Sequence, residues 1–421
     1  MTEPVILKSP AHPISRGDVD PDALRVIFRL HHSGFLAYLT GGAVRDLMLR
    51  RPPKDFDVVT DARPGQIRRR FPNCYIIGRR FRLAHVRFPD GKTIEVATFR
   101  RTISPGLEET QPSEFDPTLL YGTPAEDAWR RDLTINALFY DPVRNEVIDH
   151  VGGLTDLEAK RVRVIGEPGT RYAEDPVRIW RVLRHASRLG FEIEEATAAA
   201  ISPRAGLVGG CPGARLYEEL NKDLLLETGP VFEALRKHGL LRIILGIPGE
   251  IYETDHGLYA RLLSLLRIAD QAKAAGEDLS LEDMYALLFW PWLEPLFGEF
   301  HPDMTKILSE ALAGAEMRTS IPRTMRAGVV QIVNLVGQMR RALRTGRWRF
   351  SQQRRSHFGP AARLFFLIDQ GRVPEEGESF ETLFAAAFPG GPRPGKRQRR
   401  RRRNRRPPDG SPPHPEKDDS P

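Results

Sequence analysis

Between Gly41 and Thr60 the chain reads GGAVRDLMLRRPPKDFDVVT. A short apolar run, Phe35–Leu39, leads into the Gly41-Gly42 pair as a strand enters a turn, and Ala43–Leu49 resumes at helical spacing. After twelve intervening residues, Asp55-Phe56-Asp57-Val58-Val59 reads as an apolar strand punctuated by two carboxylates. Paired glycines let a backbone approach a ligand closely, and a helix start at Ala43 points N–H groups at a phosphate. Side chains alternate along a strand, so Asp55 and Asp57 are predicted on one face. Two adjacent carboxylates repel, and a hard divalent cation such as Mg2+ neutralises them. A pair of such ions clamps the attacking and leaving oxygens of phosphoryl transfer.

Outward from this stretch, Leu83–Phe88 and Thr93–Phe99 flank Pro89-Asp90-Gly91, a hairpin pattern. On the second strand Glu95 is a charge in an otherwise apolar run, sharing a face with Thr93, Ala97 and Phe99. Glutamates at such positions are more often plain surface. A third metal ligand is needed, however, and this is the nearest strand. Pro21–Gly34 has helical spacing; Ile135–Tyr140 and Val147–His150 suit further strands. Residues 104–126, polar and carrying four prolines, read as a mobile loop. From Asp175 the pattern is helical to about Phe388. The predicted fold class is an α/β N-terminal unit followed by an all-α region.

Composition bounds the function. Of 421 residues 40% are hydrophobic, and no run approaches the ~20 apolar residues of a membrane span. The first twenty residues lack the pattern of a secretory signal. Two cysteines, Cys74 and Cys211, supply neither a disulfide framework nor a four-cysteine zinc site, and a reducing cytoplasm fits best. Both are expected as buried thiols, His85 as a packed histidine, and Phe289, Trp290 and Trp292 as core. The net charge of +8 is uneven: residues 391–421 hold 11 basic and 4 acidic groups, leaving the rest near neutrality. Residues 41–101 carry 15 basic and 6 acidic groups, acidic islands in a basic field suited to a polyanion. The run Arg399–Arg403 self-repels and cannot pack, so a disordered tail is expected, tethering an RNA backbone.

GGAVRDLMLRRPPKDFDVVT resembles the catalytic palm of polymerase-beta-like nucleotidyltransferases, and in particular their class II branch of bacterial poly(A) polymerases and CCA-adding enzymes. EDAWRRDLTINALFYD (Glu126–Asp141) resembles that branch's ribose-reading motif, and YAEDPVRIWRVLRHASRLGF (Tyr172–Phe191) its base-reading helix. IIGRRFRLAHV (Ile76–Val86) and CPGARLYEEL (Cys211–Leu220) resemble segments of the poly(A) polymerases. Trp180 departs from the smaller aliphatic residue usual in the family, and the turn is Gly-Gly-Ala rather than Gly-Gly-Gly.

The resemblance implies template-independent transfer of AMP from ATP to RNA 3′ ends with pyrophosphate release, aided by two Mg2+ ions. CCA addition to tRNA is the alternative, since one palm serves both. It implies metal binding at Asp55 and Asp57, with Glu95 the candidate third ligand. Gly41, Gly42 and Arg45 hold the triphosphate, Arg130 and Arg131 pair with phosphate, and Asp132 takes the ribose hydroxyls or assists at the metals. Asp175 would cap a helix starting at Pro176, placing Arg178 on its side, so that the two present a Watson–Crick-like edge to a purine. Arg178, Arg181, His185 and Arg188 form a basic, phosphate-facing stripe, with His185 a bystander on it. The implied organisation is a flexible N-terminus (1–20), a palm (21–150), a helical neck (151–250), a helical body (251–388) and the Arg-rich tail (389–421).

Overall fold

Eight strands form one mixed sheet: β1 (Val5–Lys8), β2 (Ala37–Thr40), β3 (Asp57–Thr60), β4 (Cys74–Ile77), β5 (Leu83–Arg87), β6 (Thr93–Thr98), β7 (Phe139–Asp141) and β8 (Glu146–Asp149). Their spatial order is β1-β8-β7-β2-β3-β6-β5-β4. The computed structural model describes residues 3–78, 82–102, 120–298, 301–347, 353–371 and 380–387. The Arg-rich tail, most of the expected loop and three residues of the Ile76–Val86 segment lie outside these. The other end of that loop is helical: Thr123 and Glu126 form a reciprocal cap on α4, which spans Pro124–Arg130.

All neighbouring strands run antiparallel except β3 and β6. Alternation along β6 buries Ile94, Val96 and Thr98 and leaves Glu95 exposed. The buried set meets α1 (Pro21–His32), whose Ala23, Val26, Ile27 and Leu30 face the sheet. Asp20 starts that helix by accepting from the Asp22 and Ala23 amides, with Pro21 in the first turn, where its missing N–H costs nothing. The other sheet face carries a separate cluster, Tyr38, Val59, Phe99, Phe139 and Ile148 with Ala128 and Ala137. This second cluster is the floor of the site described below.

The expectation of a flexible N-terminus is corrected for residues 5–8. They pair with β8 at the sheet edge, Val5 opposite Asp149. Val5 and Ile6 remain exposed, so backbone hydrogen bonding by a β-prone run, rather than burial, secures this strand. The expected strand from Ile135 starts only at Phe139, because Thr134–Asn136 make a 3-10 turn.

Short helices α2 (Gly42–Met48), α3 (Pro64–Arg70), α5 (Gly153–Glu158) and α6 (Pro168–Glu174) connect or flank the strands. The chain then turns helical as expected. α7 (Val177–Leu189) is amphipathic, buries Ile179, Val182, Leu183 and Ala186, and ends where Gly190 takes φ 67°. An unexpected two-stranded ladder, Arg161–Val162 with Glu192–Ile193, ties the end of α7 back to the residues after α5. α8 (Glu195–Ala199) and α9 (Gly213–Leu224) follow. Farther on, helix Leu281–Leu293 is buried nearly all round, with Phe289 and Trp290 in the core.

Candidate active site

The β2–β3 ladder places Thr40 opposite Asp57. Gly41 comes next with φ 74° and ψ −140°, a conformation that favours glycine, and so turns the chain away from β3 immediately beside Asp57. Asp55 therefore has no strand partner. It precedes β3 rather than sharing it, which corrects the expectation of two carboxylates alternating on one strand. Across β3–β6 the register Val58 to Val96 carries on to Asp57 beside Glu95. Asp57 is surrounded by protein while its tip reaches solvent. Crowding by protein, then the charges of Glu95 and Asp55, push its pKa up to about 6 against the pull of Arg131.

Three carboxylates thus lie within electrostatic reach of one another. Among the described residues, however, no group of three or more His, Cys, Asp and Glu side chains is gathered tightly enough to hold a metal ion. Mg2+ is usually held by one or two carboxylates plus substrate phosphates, not by an all-protein cage, so an acidic and solvent-facing donor set fits it. Glu95 also lies 3.6 Å from His85 Nε2, which makes that histidine a neighbour of the acidic group. Cys74 is buried and Cys211 partly so, and burial pushes both thiols up.

Two arginines lie over the glycine turn. A Cβ at Gly41 would stand 3.7 Å from Arg131 Nη1, and one at Gly42 3.5 Å from Arg45 Nη2. Arg131 donates through Nε (3.1 Å) and Nη2 (3.0 Å) to Asp127 and through Nη1 to the Asn136 carbonyl (3.1 Å), with Phe139 beneath it. Asp127 is buried and also accepts from Arg130 at 2.9 Å and from the Arg100 amide. It is the anchor of the Arg130-Arg131 pair and was not singled out from the sequence. Arg45 donates to Asp46 (2.8 Å) and to Asn136 Oδ1 (2.8 Å). Asp132 accepts from Arg181 at 2.5 Å and from the Leu133 amide. Burial opposes its ionisation, but the Arg181 charge and hydrogen bond, with the Leu133 amide, overcome this and hold it at about 2.

Asp175 caps the helix start as expected, accepting from the Val177 amide at 3.3 Å, but its carboxylate and the Arg178 guanidinium take different partners. Asp175 sits before the helix with φ −147°, so helical spacing does not govern its direction. Its carboxylate accepts from Arg215 of α9 at 2.6 Å. Arg178 instead donates to the Arg171 carbonyl (2.8 Å) and Glu174 (3.2 Å). Nor is the expected phosphate-facing stripe free of protein partners, since Arg181 and Arg188 both meet carboxylates. Arg184, between its members, is buried against Asp223 and Glu219 of α9, and Arg188 reaches Asp223 at 3.2 Å. Trp180 donates its indole N–H to Asp223 at 2.6 Å, which gives the departure at this position a structural role. The sequence signal for this cluster was the acid spacing Glu219-x-x-x-Asp223, one helical turn apart.

A glycine turn with two arginines over it and grouped carboxylates beside it, on a mixed sheet followed by helices, define a nucleotidyltransferase head on a helical body. Residues 37–163 match the Poly A polymerase head domain, and residues 190–249 the model described as probable RNA and SrmB-binding site of polymerase A. These matches support a bacterial poly(A) polymerase or CCA-adding-like nucleotidyltransferase. Poly(A) polymerase I of Salmonella typhi is 40% identical over 309 residues, 69% of this chain and 64% of that protein. Its Escherichia coli O157:H7 counterpart is 46% identical over 231 residues, 53% of this chain and 49% of that one. The chain thus spans less than two thirds of these relatives. The CCA-adding enzyme of Bacillus pumilus is 38% identical over 202 residues, 48% of this chain and 49% of that protein. Among solved structures, the Bacillus stearothermophilus CCA-adding enzyme in complex with CTP superposes with TM-score 0.58 at 26% identity, covering 89% of this chain and 80% of that one.

Proposed function

We propose that the protein transfers AMP from ATP to RNA 3′ ends without a template, releasing pyrophosphate. The observation that carries this reading is the placement of Asp57 between the Gly41 turn and Glu95, with Arg45 and Arg131 above the turn. The choice of AMP over CCA addition is supported by matches to the poly(A) polymerases that span 231–309 residues at 37–46% identity, against 202 residues at 38% for the B. pumilus CCA-adding enzyme.

In this reading Gly41 and Gly42 admit the triphosphate to the backbone, and Arg45 and Arg131 neutralise it. Asp132, kept ionised by Arg181, accepts from the ribose hydroxyls. Asp175, steered by Arg215, and Arg178 meet the base, and Arg181 and Arg188 border the RNA path. Asp55, Asp57 and Glu95 would hold two Mg2+ ions, which supply activation of the RNA 3′-hydroxyl and neutralisation of the leaving pyrophosphate. The palm, neck and body boundaries given above, the contact of the Arg-rich tail with RNA and a cytoplasmic location belong to the same proposal. Among the described residues no helix is long and apolar enough to cross a membrane.

The test is pyrophosphate release and primer extension with Asp55→Ala and Asp57→Ala. Loss of a residue essential for charge neutralisation costs roughly two to three orders of magnitude or more in rate. Near-wild-type rates in either variant refute the site.

A further inference from the structure

His185 lies on α7, pointing at the phosphate end of the site rather than along the RNA-facing stripe. Its Nε2 is 3.3 Å from Asn136 Nδ2 and its Nδ1 is 3.5 Å from Arg45 Nη1. Asn136 is buried, and its Oδ1 accepts from Arg45 Nη1 at 2.8 Å. That short contact fixes which end of the amide faces Arg45: a guanidinium only donates, so the oxygen must face it. The amide nitrogen of Asn136 must then donate to His185, and Nε2 must be the bare ring nitrogen. A neutral imidazole carries its proton on the other nitrogen, so Nδ1–H is the tautomer, and the 3.5 Å approach to Arg45 is two N–H groups side by side rather than a bond. The surroundings favour neutrality: burial, then the Arg45 charge, push the imidazole down to about 3.

We propose that His185 is a positioning residue for the triphosphate, acting through Asn136 on Arg45. As an acceptor it holds the Asn136 amide in the one orientation that presents oxygen to Arg45, and so keeps the guanidinium over Gly42. Without that acceptor the Asn136 amide nitrogen is left unpaired and the side chain is held through Arg45 alone, so the guanidinium loses its fixed support. The proposal rests on the reading of Arg45 as a triphosphate ligand.

Two measurements test it. The first is equilibrium binding of ATP and of AMP to the full chain with His185→Phe, His185→Leu and His185→Gln. Phe and Leu remove the acceptor, while the Gln carboxamide oxygen replaces it. Tenfold in affinity is about 1.4 kcal/mol, just under the roughly 1.5–3 kcal/mol of a hydrogen bond to a charged group. ATP binding should weaken about tenfold in the Phe and Leu variants and by less than about threefold in the Gln variant, with AMP binding unchanged throughout. Equal loss in all three variants, or equal loss for ATP and AMP, overturns the proposal. The second reads the tautomer in unaltered protein and uses the Gln variant only for assignment. Nitrogen NMR of 15N-histidine protein, with His185 assigned by its absence from the Gln variant, should give the Nδ1–H tautomer; an Nε2–H tautomer overturns the proposal. Failure of wild-type protein to bind ATP would instead sink the functional reading, while ATP binding equal in wild type and the Phe and Leu variants sinks only the role of His185.

Discussion

Replacing Asp223 by Ala should be among the most destabilising single changes in α7–α9. Asp223 is fully buried and accepts from three donors on α7: Trp180 Nε1, Arg184 Nε and Arg188 Nη2. Removing it leaves Arg184, itself 4% exposed, with Glu219 as its one remaining carboxylate partner. Breaking one side of a buried ion pair costs about 3–5 kcal/mol. Retained pairing with Glu219 argues for the lower end, and the orphaned indole N–H adds about 1–3 kcal/mol. The expected loss is about 4 kcal/mol. With urea slopes of about 1–3 kcal/mol per M, the unfolding midpoint should drop by about 1 M or more. Trp180→Phe removes a donor together with its demand for an acceptor and should lower the midpoint much less. The assay is urea unfolding of both variants followed by far-UV circular dichroism. A midpoint for Asp223→Ala within about 0.3 M of wild type would refute the claim that this cluster clamps α7 to α9.

Asp57→Asn should abolish transfer yet stabilise the Mg2+-free protein above pH 6. The carboxyl pKa is raised in the folded state to about 6, so the native form binds the proton more tightly, and folding stability falls as pH rises from about 4 to 6. Partial exposure screens the effect to the order of 1 kcal/mol, seen as variant and wild-type thermal midpoints that coincide near pH 4 and diverge above pH 6. Gly41→Ala should cost about 1–3 kcal/mol, because φ 74° is strained for alanine, and should raise the KM for ATP, while Gly42→Ala, at ordinary contact distance from Arg45, should leave the unfolding midpoint nearly unchanged. Truncation after Pro389 should flatten the slope of log RNA affinity against log salt by about 3–4 units if the tail neutralises five phosphates; identical slopes would remove RNA as its partner.

Much of the site was legible because it depends on short-range rules. Glycine at a positive φ, acids beside an apolar strand and a Pro-Asp-Gly hairpin fix backbone geometry within a few residues, and register then carries Glu95 to Asp57. What was missed depends on partners distant in sequence. Asp175 is captured by Arg215, forty residues on, which helical spacing does not reach. Arg178 is held closer in sequence, by Glu174 and the Arg171 carbonyl across the break between α6 and α7. Arg184 interrupts the reading of α7 as one basic face because Glu219 and Asp223 exist on α9 to bury it. His185 reads as a bystander until Asn136 and Arg45 are placed beside it.

Nucleotide choice tests the central claim most directly. The full-length chain is incubated with Mg2+ and each nucleoside triphosphate singly, on an unstructured RNA and on a tRNA lacking its 3′ CCA. The account predicts long ATP-dependent extension of the unstructured RNA and little use of CTP, GTP or UTP. Efficient addition of two C residues to the tRNA, with no extension of the unstructured RNA by ATP, would contradict it.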